Sequence, residues 1–332
     1  MPHYPIDIVV PWVDGNDPAW REVRNQYRPD HNSDGGDSRY REWGLFHHWF
    51  RSIEMYAPWV RTVHLITWGH LPPWLNTDHP KLHVVRHEDY LPAEYRPTFS
   101  SHVIELNMHR IPDLAEHFIY FNDDVYLNAP TTPEDFFVDG LPNDTAVMGM
   151  VRIADNFSFM PYIYLNMLGE LNMTFNKKKA VLGNWRKWFN LKYGKDLLFN
   201  FALFPGSTFT GFKNYHTCQP YCKTTLEEVW AAYPEALDRT CRNRFRNRED
   251  VCQYIFRWWR LMKGEFNPHK PNSSYLTLGV DSIETVDARL SNRKCKVVCV
   301  NDDPMNCDFE TEKQKAAAVF DKHYPAKCGF EK

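Results

Sequence analysis

The sequence has 332 residues, of which 43% are hydrophobic and 24% charged, enough for one large or two smaller folded domains and unlike a disordered chain. A formal net charge of −3 leaves no electrostatic footprint for nucleic acid, so no such partner is expected. No apolar run reaches the length of a membrane span, and no basic N-terminal segment leads into one, so a cytoplasmic location is expected. Aromatic residues reach 15%, which suits carbohydrate sites but equally suits cores.

Residues 6–13, IDIVVPWV, read as a buried first strand, and Asp14-Gly15-Asn16-Asp17-Pro18 is turn chemistry at its end. Ligands of open α/β sheets gather at the C-terminal ends of strands, so Asp14, Asn16 and Asp17 are placed where a nucleotide could sit. Residues 28–39, rich in Asp, Asn, Ser and Gly, read as a mobile loop. Leu45, Phe46, Trp49, Phe50, Ile53 and Tyr56 recur at helical spacing until Pro58. Strands are expected over 62–68 and 82–85. Ser100 or Ser101 is the expected N-cap of a helix running to about Ile111. With His102, that helix start could bind phosphate, although capping alone is the cheaper reading.

The run Phe118-Ile119-Tyr120-Phe121 then reads as a buried strand that stops abruptly at Asn122-Asp123-Asp124. Adjacent carboxylates do not ionise comfortably side by side without a cation or donor between them; a polar turn is the ordinary alternative. The alternation of elements to this point predicts an α/β sheet with helices on its faces. A further strand is expected over 145–151.

Residues 174–195 combine seven Lys and Arg with Trp185, Trp188 and Phe189, and read as helical. A solvated helix with its Trp face inward is favoured there over an anion-binding or membrane-surface role. Two helix-like runs fill 226–262, divided by the basic stretch Arg239 to Arg248. His216 follows the glycine-containing segment Gly206 to Gly211, and a buried structural histidine is its plain alternative. Arg244, Arg246 and Arg248 precede an expected helix over Val251 to Leu261, opposite to the sign its dipole favours, which suggests an anionic partner. Finally, Cys295 to Val300 reads as a strand ending in Asn301-Asp302-Asp303. If the fold joins the two Asn-Asp-Asp segments, they form a compact oxygen-ligand site for Mg²⁺ or Mn²⁺. All eight cysteines lie in the second half; reduced thiols are the default, and zinc held by Cys218, Cys222, Cys241 and Cys252 is a weaker option.

Four blocks in order make the sequence resemble the Stealth family, the bacterial capsular-polysaccharide phosphotransferases related to the catalytic subunit of N-acetylglucosamine-1-phosphotransferase. They are Ile6-Asp7-Ile8-Val9 through Trp12-Val13-Asp14-Gly15-Asn16-Asp17-Pro18, then Arg39 to Leu127, then His216 and Pro220 with Phe245-Arg246 and Glu249-Asp250, then Cys299-Val300-Asn301-Asp302. The resemblance implies a Rossmann-like sheet of the glycosyltransferase-A kind in a single catalytic domain over 1–332, with a mainly helical insertion over 152–290. It implies transfer of a hexose-1-phosphate from a nucleotide-diphosphate sugar, expected to be UDP-linked, to a glycan hydroxyl in capsule or cell-surface polysaccharide synthesis. On this reading His216 is the general base, Arg246 and Asp250 act with it, and Asp123, Asp124 and Asp302 hold the metal. Trp12, Asp14, Asn16, Asp17, Arg39, Ser100 and His102 are the candidates for substrate binding. Peripheral association with the inner face of a membrane stays open. So do an ordinary metal-dependent nucleotide-sugar glycosyltransferase and a non-catalytic carbohydrate-binding subunit. The sequence departs from the family at Pro11-Trp12-Val13-Asp14, where Thr-Trp-Val-Asn is commoner.

Overall fold

The computed structural model describes residues 4–27, 40, 42–155, 158–302 and 308–332. The chain begins with β1 (Ile6–Pro11), α1 (Pro18–Tyr27), α2 (Phe46–Tyr56), β2 (Val63–Thr67), β3 (Leu82–Arg86), α3 (His87–Tyr90) and α4 (Ser101–Leu106). It continues with β4 (His117–Tyr120), β5 (Val125–Leu127), β6 (Phe137–Val138) and β7 (Leu141–Asp144). Helices α5 (Met160–Thr174), α6 (Lys177–Gly183), α7 (Trp185–Trp188) and α8 (Leu197–Leu203) come next. Then follow β8 (Gln219–Cys222), α9 (Lys223–Ala232), α10 (Pro234–Cys241), α11 (Tyr254–Lys263), β9 (Asn267–Pro268) and β10 (Ser273–Leu278). The last elements are α12 (Ile283–Ser291), β11 (Val297–Asp302) and α13 (Phe309–His323).

The main sheet has the order β3-β2-β1-β4-β8, its first four strands parallel and β8 antiparallel to β4. Both faces are covered, which is why β1 is apolar almost without interruption. Val9, Ile66, Phe118 and Tyr120 pack with the helices α4, α5 and α9–α11, while Ile8, Val10, Leu65 and Ile119 pack with α2 and α13. This is the expected α/β architecture with a Rossmann-like sheet. Strand order reverses between β1 and β4, so their C-terminal ends open a crevice there. A second sheet, β10-β11-β5, lies beyond, with β11 antiparallel to β5. Residues 152–290 are mainly helical, yet they also supply β8 to the main sheet and β10 to the second.

Several local expectations differ from the structure. Residues 145–151 form no strand; β7 ends at Asp144, and Met148 makes only an isolated bridge to Phe212. Their apolar character instead reflects burial, since Ala146, Val147 and Met148 belong to the core beside the helices. The helix expected to reach Ile111 ends at Leu106 and passes into a short 3-10 turn, Met108–Arg110. Residues 174–195 are broken into α6, α7 and a 3-10 segment, Leu191–Asp196, in which Gly194 takes a left-handed φ of 58°. The helix expected from Val251 begins at Tyr254, which leaves the three arginines on a loop. The expected loop over 28–39, together with Arg39, Asp303 and Cys307, lies outside the described residues.

The C-terminal segment is fastened to α2 by charge. Arg51 donates to both carboxylate oxygens of Glu331, at 2.7 and 2.8 Å, and to the Tyr324 carbonyl at 2.8 Å. Burial alone would raise the Glu331 carboxyl, but Arg51 outweighs it and holds the group down at about 2. A carboxylate depressed in the folded state stabilises above its unfolded pKa and loses that contribution as pH falls through the folded value. Glu331→Gln is therefore expected to cost roughly 3 kcal/mol at neutral pH, with the deficit shrinking from about pH 4.5 toward pH 2. Thermal unfolding of both proteins across that range checks this; a deficit independent of pH would contradict it.

Candidate active site

Two registers assemble the site. The antiparallel pairing of Tyr120 with Gln219 and Ile119 with Pro220, continued past the strand ends, brings residue 216 level with residue 123. The pairing of Val125 with Cys299, sealed by the Val300 N–H donating to the Asp124 carbonyl at 2.9 Å, brings Asn301 and Asp302 to the same place. The two Asn-Asp segments thus meet in one cleft of about 600 Å³, with Asn122, Asp123, Asp124, His216, Arg246, Asn301 and Asp302 in its wall. Trp12, Trp20, Tyr40, Trp68 and Phe99 line its apolar side.

Asp124 is the hub of the polar side. Its Oδ2 lies 3.6 Å from His216 Nε2 and accepts the Cys299 S–H at 3.4 Å, while its buried Oδ1 has no hydrogen-bond partner. Asp123 keeps solvent-accessible surface, yet protein surrounds it over the distance across which a carboxylate is solvated. That enclosure, with Asp124, Glu42 and Asp302 nearby, pushes its pKa up to about 8. Asp302 is held by the Trp43 indole N–H at 3.1 Å. Burial opposes charging of the His216 ring, but Asp124 and Glu105 more than offset it, and its pKa lies above the ordinary histidine value. The ring is edge-on to Tyr275, whose hydroxyl accepts from Asn301 at 2.8 Å.

An orphaned buried oxygen and a crowd of mutually repelling carboxylates are what a hard divalent cation relieves, so the residues fit Mg²⁺ or Mn²⁺. Cys299 also lies within reach of Asp124 and His216. Its thiol is pushed far up by burial and by Asp124, and as a soft sulfur donor it suits a hard cation less well than the carboxylates do. The zinc option fails on topology: Cys218 and Cys222 lie in the core on one face of the sheet, Cys241 and Cys252 in the core on the other.

Several candidates stand elsewhere. Asp14, Asn16 and Asp17 do not line the cleft; Asp14 Oδ1 accepts the Asn16 N–H, Asn16 pairs with Arg21, and Asp17 accepts the Trp20 N–H at the start of α1. Trp12 does line it, and its indole N–H donates to Glu42 at 2.9 Å. Ser100 is buried at the N-cap position of α4 with its hydroxyl unpartnered, and Ser101 reaches the cleft in its place. His102 and Asp250 are also buried away from the cleft, 3.4 Å apart. Asp250 accepts from the Asn243 amide at 2.7 Å and from the Asn247 N–H at 2.8 Å, so it shapes the loop that presents Arg246. Arg246 in turn donates to the Ser101 hydroxyl at 2.7 Å.

Two residues escaped the sequence reading. Glu105 lies one helical turn beyond Ser101 and is buried in the cleft wall, where it accepts the Tyr120 hydroxyl at 2.8 Å. Burial pushes its carboxyl up to about 7 against the pull of Arg246. The Ser101–Glu105 spacing was the available signal. Glu42, whose carboxyl burial also raises, had none. The His216 segment is clamped from α11: Arg257 donates to the Asn214 side chain at 2.7 Å and Arg260 to the Pro220 carbonyl at 2.8 Å, and Asp144 pairs with both arginines.

An α/β sheet with a carboxylate-rich cleft at its switch point, a histidine and an arginine defines a transferase-type site for a phosphorylated substrate. Stealth protein conserved regions 1, 2 and 3 match residues 4–32, 39–144 and 215–254. A capsular polysaccharide phosphotransferase, WcwK of Streptococcus pneumoniae, is 39% identical over 98% of this chain and 99% of its own. The exopolysaccharide phosphotransferase cps2G of Lactiplantibacillus plantarum is 34% identical over 99% and 97%, and the receptor polysaccharide phosphotransferase WefC of Streptococcus gordonii 35% over 98% of each. The chain belongs to the Stealth family of polysaccharide phosphotransferases and is a transferase enzyme. The solved galactosyltransferase LgtC covers 94% of this chain and 95% of its own at 9% identity and a TM-score of 0.38, too distant to carry an argument. No helix among the described residues is long and apolar enough to cross a membrane.

Asp250→Asn sets an amide N–H₂ against donors that now meet a carboxylate. It is expected to cost about 1–3 kcal/mol in unfolding free energy. Turnover should fall beyond what the lost fold explains, because the Arg246 loop loosens. Unfolding and kinetics measured together check this; unchanged turnover in the folded variant would return Asp250 to a purely structural role.

Proposed function

We propose that the enzyme transfers a hexose-1-phosphate from a nucleotide-diphosphate sugar, UDP-linked by expectation, to a hydroxyl of a glycan acceptor. The observation that carries the reading is the juxtaposition of His216, Asp124 and Arg246 in one cleft. The acceptor O–H gives its proton to the His216 imidazole, and the oxygen attacks the phosphorus nearest the sugar. The new O–P bond forms as the bond to the nucleoside monophosphate breaks, and that leaving group takes the electron pair. The sugar C1–O bond is untouched, so the anomeric configuration is kept. Asp124 holds the imidazole in place and stabilises it once protonated, as the raised pKa of that ring supports. Arg246, positioned by Ser101, faces the phosphoryl oxygens with a planar fork. Asp123, Asp124 and Asp302 would hold Mg²⁺ or Mn²⁺, which when bound supplies neutralisation of the diphosphate charge. Trp68 in the apolar wall is the candidate to stack against a nucleotide base.

Chelation should abolish turnover and Mg²⁺ or Mn²⁺ restore it, while Asp124→Asn should stay folded yet lose metal-stimulated turnover; wild-type rates for that variant at equal metal would remove Asp124 from the metal site. His216→Ala should lower turnover by about 10²- to 10⁴-fold, the usual span for a general base. Chromatography of the released nucleotide decides the bond broken. A monophosphate with a phosphodiester-linked product supports the proposal; a diphosphate with a phosphate-free glycoside makes the enzyme a glycosyltransferase.

A further inference from the structure

The helical segment around α6–α8 is built in a way the active site does not require. Six of the fifteen large hydrophobic side chains exposed among the described residues fall within positions 182–201: Leu182, Trp185, Leu191, Leu198, Phe199 and Phe201. Leu191 is 87% exposed and Trp185 54%. Such side chains scattered singly need no explanation, but a concentration of them marks an interaction surface.

These elements form one packed unit. Lys177 and Lys178 on α6 donate to the Leu203 and Phe204 carbonyls after α8, and the Phe189 and Phe201 rings lie 4.8 Å apart. These two lysines, Lys177 buried and Lys178 half-buried, are thereby spent on helix ends, whereas Lys179, Arg186, Lys192 and Lys195 are exposed. Asp196 is the one acidic residue from 171 to 210, and it is buried and paired with Lys213 and Lys270. Positions 171–210 therefore present cations and apolar side chains with no exposed carboxylate among them, on a chain whose overall charge is negative, and Glu265 beside Lys187 is the acid at their border.

We propose that this surface docks on an anionic lipid bilayer. Leucine, phenylalanine and tryptophan side chains enter the boundary between headgroups and acyl chains, and the interleaved Lys and Arg meet lipid phosphates. Charge argues against a second copy: a two-fold interface would set this patch against itself and bring four cations onto four. Chemistry argues against an anionic glycan, whose hydroxyls give the exposed leucines nothing to bury into. The docked unit is tied to the cleft, since Tyr215, next to His216, donates its hydroxyl to Asp196 at 2.9 Å. Docking thereby holds the catalytic loop at a fixed relation to the bilayer.

The test is flotation of the full-length protein with vesicles of phosphatidylcholine and phosphatidylglycerol in about a three-to-one ratio, against phosphatidylcholine alone. The wild type should float with the anionic vesicles and be released by salt. A single change such as Lys192→Gln should weaken binding about fivefold, the equivalent of roughly 1 kcal/mol per basic residue near an anionic surface. The combined Trp185→Ser, Leu191→Ser and Leu198→Ser variant should no longer float, while its thermal unfolding and its turnover on a soluble acceptor stay at wild-type values. No flotation of the wild type, or undiminished flotation of the triple variant, would overturn the proposal. So would vesicle-independent self-association in sedimentation velocity that the triple variant abolishes.

Discussion

The site depends on one antiparallel pairing, that of β5 with β11. Antiparallel strands bring the start of one beside the end of the other, so residues far apart in sequence meet where the ladder stops. Here the N–H of Val300 donates to the carbonyl of Asp124, and the carboxylates of Asp123, Asp124 and Asp302 are gathered past that bond. Without it each acidic segment would be a solvated turn. Enclosure by the surrounding protein, with neighbouring charges added, raises the Asp123 carboxyl, and a buried oxygen of Asp124 is left without a partner. The fold thus concentrates negative charge at the switch point of the main sheet, and that unfavourable arrangement persists because the surrounding core over-determines it.

Much of this was legible in the sequence, for physical reasons that differ by element. A strand buried on both faces must be apolar throughout, so β1, β2 and β4 announce themselves. The repeat of Asn-Asp at two strand ends pointed to the acidic site because backbone polarity has to resume where a strand leaves the sheet. Charge alone did not report which of the polar candidates face the cleft. Asp250 and His102 look like surface chemistry and are buried together, where each satisfies the other and Asp250 organises the Arg246 loop. Asp14, Asn16 and Asp17 make local bonds in the turn and at the start of α1 and do not line the cleft. Glu105 was overlooked because its one signal, the spacing from Ser101, is weak for a lone acid in an apolar helix; the packing of Tyr120 against it is what reveals that it is enclosed.

Residues 145–151 and 174–195 illustrate a second limit. Periodicity reports which side chains are buried, not which backbone geometry buries them. Ala146, Val147 and Met148 are core without being a strand, and the basic stretch is helical only in fragments, interrupted at Asn184 and Phe189 and kinked at Gly194. In that stretch the Trp face was expected inward, and Trp188 obeys while Trp185 does not. Composition alone cannot distribute two tryptophans between core and solvent.

The clamp around His216 has a consequence for how motion and chemistry are related in this enzyme. Five residues separate Asn214 from Pro220, and both ends are tied to one rigid helix by arginines whose charge Asp144 balances. A segment so short, held at both ends, has little conformational freedom left to lose when substrate arrives. On the mechanism proposed above, the ordering entropy of this histidine is spent during folding rather than at each turnover. Substrate recognition is then free to depend on the parts of the cleft that Asp144 does not reach.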